Sequence, residues 1–488
     1  MSQTPHNHPQ LPESFYVTTP IYYINDRPHI GHAYSTIAAD TLARYWREKI
    51  GAENVLFSTG TDENSKKTIE AATAAGQDID AYTNEMAAVW QGTWDKLGIS
   101  YDQFIRTSEP RHTAAAQHLV QQIYDAGDVT KGSYEGPYCF RCEAFYKEDE
   151  LVDGCCPVHK KDVEVISEEN YFFDLPKYAE QLKQVIQSGE LEIQPASRRN
   201  EVLSFIEQGL EPISISRANQ EIGIPLPFDS SQRTYVWVEA LINYLTAAGY
   251  PEQGYEKWWS NVTHIVGKDI IKFHCIIWPA MLLSAGVGLP KRVFAHGFFT
   301  INGEKISKSL GNAIDPIELA ATYGTDALRY YLLREIPFGT DGNFSTERFA
   351  DVYNSDLANT LGNLVQRTAS MLARYNDGKY THVERRELSV DTSYLEALAF
   401  DKYLHTTLDS YAGQNNQYLE QEKPWEIAKT DVPAAVQSLS SVATEVAAIA
   451  GPLKAVLPET AKKIAETFHD GEVDTTVGIL FPRVVKAE

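Results

Sequence analysis

Cysteine is scarce in this chain, five residues in 488, and the number is odd, which excludes a disulfide framework. Positive charge is also in deficit. Forty-three lysines and arginines face 66 acidic residues, for a net charge of −23. Phosphate contacts need lysine and arginine, so a nonspecific DNA coat is excluded. A protein that grips one folded RNA through a few local basic residues, reading shape and bases, is not. A membrane-spanning run is missing too: the most apolar long stretch, 442–457, is broken by Glu445, Gly451 and Pro452. The first fourteen residues lack the basic start and apolar core of a secretory signal, so the cytoplasm is the expected location. Internal repeats and low-complexity segments are absent as well. What is present, 43% hydrophobic and 22% charged residues, describes an ordinary globular protein, and the length implies three or four structural units.

Four of the five cysteines fall within eighteen residues. Cys139-x2-Cys142, thirteen residues, then Cys156-x2-His159 has the spacing of a tetrahedral zinc site built from two knuckles. Two-residue gaps let both ligands of a tight turn face one ion. Cys155 is the spare thiol, because the gap to His159 suits Cys156. With four ligands and no open position, one structural zinc per chain is expected. The alternative is a loop whose cysteines are merely reduced. Cys275, beside Ile276, Ile277 and Trp278 in an apolar segment, reads as core.

Along the chain, strand-like and helix-like segments alternate first. Strands are expected over 14–19, 54–58 and 101–106, with helices over 33–49, 81–97 and 110–126; such alternation implies a parallel sheet with crossover connections. From 132 to 230 aromatics, cysteines and acidic residues intersperse short strand-like pieces, as in an inserted domain. The α/β pattern then returns, with a helix over 234–249, strands over 264–267 and 292–295, and a helix over 270–284. After Pro316 apolar residues recur at three- and four-residue spacing, which predicts helices to the end. The expected class is therefore α/β: a Rossmann-like parallel-sheet domain (1–131 and 231–315) split by a zinc-binding insertion (132–230), then a linker (316–348) and an all-α helical bundle (349–488).

Two short motifs carry the chemistry. His29-Ile30-Gly31-His32 sits at an expected strand-to-helix turn, where free backbone N–H groups and the helix dipole favour phosphate. Far downstream, Lys305-Ile306-Ser307-Lys308-Ser309 brings two cations and two hydroxyls on a loop with Gly303 and Gly311, suited to closing over a triphosphate. Alone, the first is an ordinary polar turn and the second an ordinary surface loop. Together and in this order they mark a nucleotide site that activates a carboxylate with ATP.

With these motifs, the runs Thr18-Thr19-Pro20-Ile21-Tyr22-Tyr23, Gly60-Thr61-Asp62-Glu63, Arg199-Asn200-Glu201-Val202-Leu203-Ser204, Tyr235-Val236-Trp237 and Gly267-Lys268-Asp269-Ile270, plus the zinc knuckles, complete a set. In this order the chain resembles the class I aminoacyl-tRNA synthetases, specifically the methionyl-tRNA synthetases, along nearly its whole length. The resemblance implies a methionine pocket of Ile21, Tyr23, Asp62, Trp237, Ala240, Leu241, Tyr244, Ile270 and His274. Polarizable aromatic faces suit a thioether, Asp62 can pair with an ammonium group, and His274 or Tyr23 can offer a polar handle near the sulfur. It implies ATP contacts from His29, Gly31, His32, Gly267, Asp269, Lys305 and Lys308, with His29, His32, Lys305 and Lys308 as the catalytic set and Mg2+ accompanying ATP. It also implies that Asn363, Arg367 and Trp425 in the bundle read the anticodon of tRNA(Met). From spacing alone, Trp237 and Tyr244 read as core and Pro424-Trp425 as a buried helix start.

Two positions depart from the family pattern: Asn64-Ser65 stands where His-Gly is usual, and Glu239 where aspartate is usual. The chain stops close after the bundle, so a monomer is expected. The rivals are a class I synthetase for another apolar amino acid, for which 132–230 is too short an insertion to edit, a catalytically silent tRNA-binding paralogue, and a small nucleotidyltransferase, which needs no bundle.

Overall fold

The structure, a computed structural model, describes residues 11–139, 144–146, 148–157, 160, 162–218, 220–301, 303–306, 311–386 and 389–484. Cys142, His159 and Lys308 lie outside the described residues, and of Lys305 the backbone alone is described.

The first strand, β1 (Phe15–Tyr23), runs past Pro20, where the sequence suggested an end at residue 19. Proline cannot donate to a ladder, so a strand keeps it only at an edge or an irregularity. Here β2 (Val55–Asp62) pairs with β1 in parallel, and the register shifts by one residue between Thr18 and Ile21. This bulge absorbs Pro20 and re-aims the residues beyond it. Tyr22 stacks on Trp90 in the interior, with ring centroids 4.9 Å apart, while Tyr23 becomes the register partner of Asp62. β2 is buried throughout and also pairs with β3 (Gln103–Arg106).

Beyond β3 the chain builds a four-stranded antiparallel sheet from β4 (Val129–Cys139), β5 (Ala144–Phe145), β6 (Glu164–Phe173) and β8 (Ile213–Ser214). β7 (Glu192–Gln194) leaves that sheet. It pairs in parallel with β12 (Arg292–His296), which itself pairs with β11 (Val262–Gly267). The main sheet is thus six parallel strands in the order β3-β2-β1-β11-β12-β7. Its chain order reverses between β1 and β11, the switch point beyond whose carboxyl ends ligands of such sheets bind. β7 was missed in the sequence because three residues cannot display a period of two. β9 (Ser216–Arg217) and β10 (Arg233–Thr234) form a separate antiparallel pair.

Helices α2 (Lys66–Ala75), α3 (Ile79–Lys96), α4 (Pro110–Asp125), α5 (Ala179–Ser188) and α6 (Ala196–Glu207) accompany these strands. The helix expected over 234–249 is two, α7 (Val236–Leu241) and α8 (Asn243–Ala248), broken at Ile242. After α9 (Glu256–Trp259), the helix expected over 270–284 opens instead with a widened π turn, Phe273–Ile277, before α10 (Trp278–Ala285). Pro279 explains the widening, since it cannot donate to the carbonyl four residues back.

By contacts the chain divides into two units. The first holds both sheets above, with a core that runs from Tyr16 and Leu56 to Val293 and Ala295. The second holds residues 29–48, 96–99 and everything from Gly297 on. Its opening element is α1 (Ile30–Ile50), the helix that carries the histidine motif. Asp40 of α1 accepts from Arg329 at 2.6 Å, and Arg329 also donates to the carbonyls of Val456 (2.8 Å) and Ala455 (3.2 Å). Both side chains are essentially inaccessible. The unit also has a small sheet of β13 (Phe299–Ile301), β14 (Glu304–Lys305) and β15 (Gly342–Asn343). From Pro316 onward the described residues are mostly helical, with α11 (Pro316–Tyr323), α12 (Thr325–Arg334), α13 (Thr346–Val352), α14 (Asn363–Asn376) and further helices from Ser393 to Thr467. β15, the stretch between Asn376 and Ser393 and a short hairpin near the end depart from the helices that the spacing predicts. One helical stretch, Val432–Leu453, is long and apolar enough to cross a membrane, but more than half of it is buried inside the protein, as a core helix would be.

Candidate active site

In the first unit, Tyr23 and Asp62 stand side by side at the carboxyl ends of β1 and β2. Asp62 is 4% exposed. The rings of Tyr23 and Trp237 of α7 are nearly perpendicular, centroids 6.4 Å apart, and the Lys67 ammonium lies over the Tyr23 ring at 4.3 Å. Trp237 stacks on Phe273 at 4.0 Å. Ala240 and Leu241 share α7 with Trp237 and are buried, and Tyr244 follows on α8. Sequence reasoning missed Phe273; its signal was an aromatic directly before His274 in a segment already singled out.

Two polar side chains of this cluster, Tyr244 and His274, bond to each other. His274 Nδ1 lies 2.9 Å from the Ile270 carbonyl, which can only accept, so this nitrogen carries the proton. His274 Nε2 is then an acceptor, and the Tyr244 hydroxyl donates to it at 2.7 Å. Burial pushes His274 down to about 4, against the opposing pull of the Ile270 carbonyl and Asp269, so the ring is neutral at pH 7. The polar handle expected on His274 is therefore already engaged by Tyr244. A wall of aromatic faces in which the Tyr244 hydroxyl and the His274 ring are engaged with each other suits an apolar, polarizable side chain. His264, not foreseen, lies beneath: its ring is 4.3 Å from that of Tyr244, and its Nδ1 bonds the Thr18 hydroxyl at 2.8 Å. Ile270 and Asp269 belong to a single turn after β11, with Gly267 closing that strand and Asp269 exposed.

In the second unit, the histidine motif forms the first turn of α1. The rings of His29 and His32 stack with centroids 3.8 Å apart. The Gly31 N–H donates to His29 Nδ1 at 3.1 Å, and the His29 N–H to His32 Nδ1 at 3.2 Å. The N–H of Ile30 is taken by the Ile314 carbonyl at 3.0 Å, which ties the motif to the chain that follows the lysine loop. Gly31 lets the His29 ring sit close: a Cβ there would stand 2.9 Å from His29 Cε1, so the ring would have to shift. The lysine loop emerges from a hairpin in which Lys305 pairs with Thr300, and Gly303 turns it at φ +79°.

The sequence profile of the family described as "tRNA synthetases class I (M)" matches residues 15–165 and 150–369. The chain belongs to this family. The methionine–tRNA ligase of Streptomyces coelicolor is 42% identical over 480 residues, covering 93% of this chain and 89% of the relative. That of Thermosynechococcus vestitus is 44% identical, covering 92% and 89%. A solved Mycobacterium tuberculosis methionyl-tRNA synthetase in complex with methionyl-adenylate superposes with a TM-score of 0.87 at 37% identity, covering 97% of this chain and 98% of that one. The apo form of the enzyme from that organism gives 0.83 at 34% identity.

Two further sets of residues remain from the class I synthetase reading. Cys139, at the end of β4, and Cys156 are both buried and neither is in a disulfide, with Cys156 Sγ 3.6 Å from the Tyr146 hydroxyl. Cys155 is distinct: it is partly exposed and directs its sulfur to Asp162 at 3.5 Å. Desolvation, helped by that carboxylate, holds its thiol above the ordinary range. Among the described residues no three metal-ligating side chains converge, two of the four expected ligands lying outside them. In the helical part, Asn363 opens α14 and is exposed, and Arg367, one turn on, shares its face. The Arg367 guanidinium lies over the half-buried Trp425 ring at 5.1 Å and pairs with Glu420 at 2.9 Å.

Proposed function

We propose that the chain activates L-methionine with ATP and transfers it to the 3′-terminal adenosine of tRNA(Met). It is an ATP-dependent ligase of translation. A methionine carboxylate oxygen attacks the α-phosphorus of ATP, the bond to the β-phosphate oxygen breaks, and pyrophosphate leaves. A ribose hydroxyl of the tRNA terminus then attacks the acyl carbon and AMP departs. No covalent enzyme intermediate is needed; positioning and charge stabilisation supply the rate. The observation that carries this reading is likeness to methionine–tRNA ligases over most of both chains, joined to an aromatic cluster in which Tyr244 and His274 are bonded to each other.

The individual roles follow from side-chain chemistry. Asp62 would hold the ammonium group, and Ile21, Tyr23, Trp237, Ala240, Leu241, Tyr244, Ile270 and His274 would enclose the thioether. His29 and His32 would contact phosphate, Gly31 leaving room for adenine, with Gly267 and Asp269 on the ribose side. Lys305 and Lys308 would neutralise charge developing on pyrophosphate, and magnesium would enter bound to ATP. Cys139, Cys142, Cys156 and His159 would hold one zinc, which in such a site supplies folding free energy. The buried sulfur atoms of Cys139 and Cys156, neither in a disulfide, fit that donor set. The helical bundle would bind the anticodon through Asn363, Arg367 and Trp425. The proposal also has the chain act as a monomer in the cytoplasm, with no DNA or membrane partner.

Pyrophosphate exchange run with each amino acid in turn tests it. Methionine alone should support exchange; a stronger response to leucine, isoleucine, valine or cysteine, or none to any, overturns the reading.

A further inference from the structure

The two departures from the family pattern touch each other. The Asn64 amide donates to Glu239 Oε1 at 2.9 Å and to the Thr107 carbonyl at 3.2 Å. The second oxygen of Glu239 is bonded by His112 Nε2 at 2.7 Å, and the other nitrogen of that ring meets the Thr246 hydroxyl at 3.0 Å. Glu239 and His112 are wholly inaccessible, and Asn64 and Thr246 nearly so. A carboxylate withdrawn this far from water is costly unless its bonds are well made, and such networks fix one geometry.

The elements it joins give the network its meaning. Asn64 stands two residues after Asp62, the proposed ammonium partner. Glu239 lies on α7 between Trp237 and Ala240, and Thr246 lies on α8 with Tyr244. The two helices are six residues each, broken at Ile242, and neither has a side-chain cap. A single imidazole, His112 from α4, bonds one of them through each nitrogen and so braces the break. Ser65 has a task as well, capping α2 by accepting from the Thr68 N–H. Thr107 adds a further tie: its hydroxyl accepts from the Glu63 N–H at 2.8 Å.

We propose that Asn64, Glu239 and His112 are positioning residues that set the separation between the ammonium end of the amino-acid pocket, at Asp62, and its aromatic wall, at Trp237 and Tyr244. The inference rests on the methionine reading above. None of the three touches the substrate; each acts through the element it holds. Loosening the chain therefore weakens amino-acid binding and discrimination more than it slows the chemical step.

The test is a double-mutant cycle in pyrophosphate exchange. Glu239→Asp shortens the reach so that Asn64 and His112 cannot both be satisfied, and Asn64→Ala removes the amide alone. Each should raise KM for methionine about tenfold with kcat within about threefold, a coupling typical of neighbours in one buried network. The double variant should be no worse than the weaker single one. Glu239→Gln keeps the shape and serves if the aspartate variant does not fold. His112→Gln, which keeps a donor, should recover part of the KM lost in His112→Ala. Unchanged KM with a lowered melting temperature would assign the network to packing alone and overturn the proposal, as would independent, multiplying effects. Wild-type protein without methionine-dependent exchange would instead refute the functional reading.

Discussion

Replacing Gly31 by alanine adds one methyl group where the structure leaves no space for it. The new carbon would stand 2.9 Å from His29 Cε1 and 3.0 Å from Nδ1. Carbon atoms rest at roughly 3.5–4.0 Å, so the imidazole must retreat by about 0.6 Å or more. That retreat stretches the 3.1 Å bond from the Gly31 N–H to His29 Nδ1 and disturbs the stack on His32 at 3.8 Å. A misplacement approaching 1 Å in a positioned catalytic group can cost about a hundredfold in rate. The expected loss in kcat of methionine-dependent pyrophosphate exchange is therefore about ten- to a hundredfold, or roughly 1.4–2.8 kcal/mol. Stability should hardly move, because alanine is the better helix former by about 0.5–1 kcal/mol and offsets part of the strain. KM for methionine should be unchanged, since the substitution meets none of the residues assigned to that pocket. In a His29→Ala background the part of the loss that comes from displacing the ring should vanish, leaving only what the new methyl takes from the room for adenine. A Gly31→Ala enzyme with wild-type kcat would refute the reasoning.

Elemental analysis of protein purified without chelator should find one zinc per chain, lost in Cys142→Ser; no metal, or undiminished zinc in that variant, counts against the site. Trp425→Ala should lower charging of methionine tRNA by about ten- to a hundredfold, one stacked base, while exchange without tRNA stays near normal. Equal losses in both reactions, together with a drop in melting temperature, would make Trp425 a core residue instead. Acid should destabilise the fold through two buried histidines. His274 is pushed down to about 4 and His264 well below its usual range by burial, His264 also by its histidine neighbour. Between pH 6.5 and 4 the unfolded chain then binds more protons than the folded one, so stability is full above pH 6.5 and is lost as the pH falls toward 4. For His274 the loss amounts to about 3 kcal/mol, and melting temperature against pH should fall less steeply in His274→Gln. An identical slope would show that other groups dominate.

Much of the chemistry was legible because motifs are local. The histidine motif reads as a strand-to-helix turn with a helix from residue 33, and the structure starts that helix three residues earlier, at Ile30. The strands were legible where their apolar runs were long, and β7 was not, because three residues give no period. The halving of 234–249 into α7 and α8 was not legible either. Nothing in V-W-V-E-A-L-I-N-Y-L weakens helix propensity at Ile242, and the break comes with packing.

The sequence by itself determined which reacting groups the protein owns and in what order, since residue type and spacing survive without a fold. The tertiary structure decided what each buried polar group is for. Asp40 belongs to no motif in the sequence, yet it is paired with Arg329, 289 residues away and equally buried. Glu239 and Asn64 read as two unrelated, mild departures, and they are one hydrogen-bonded pair. Burial makes these partners obligatory, because a polar group taken from water must be satisfied by whatever the fold brings within about 3 Å. That partner is set by the closing of distant chain segments on one another, which no local pattern of residues encodes.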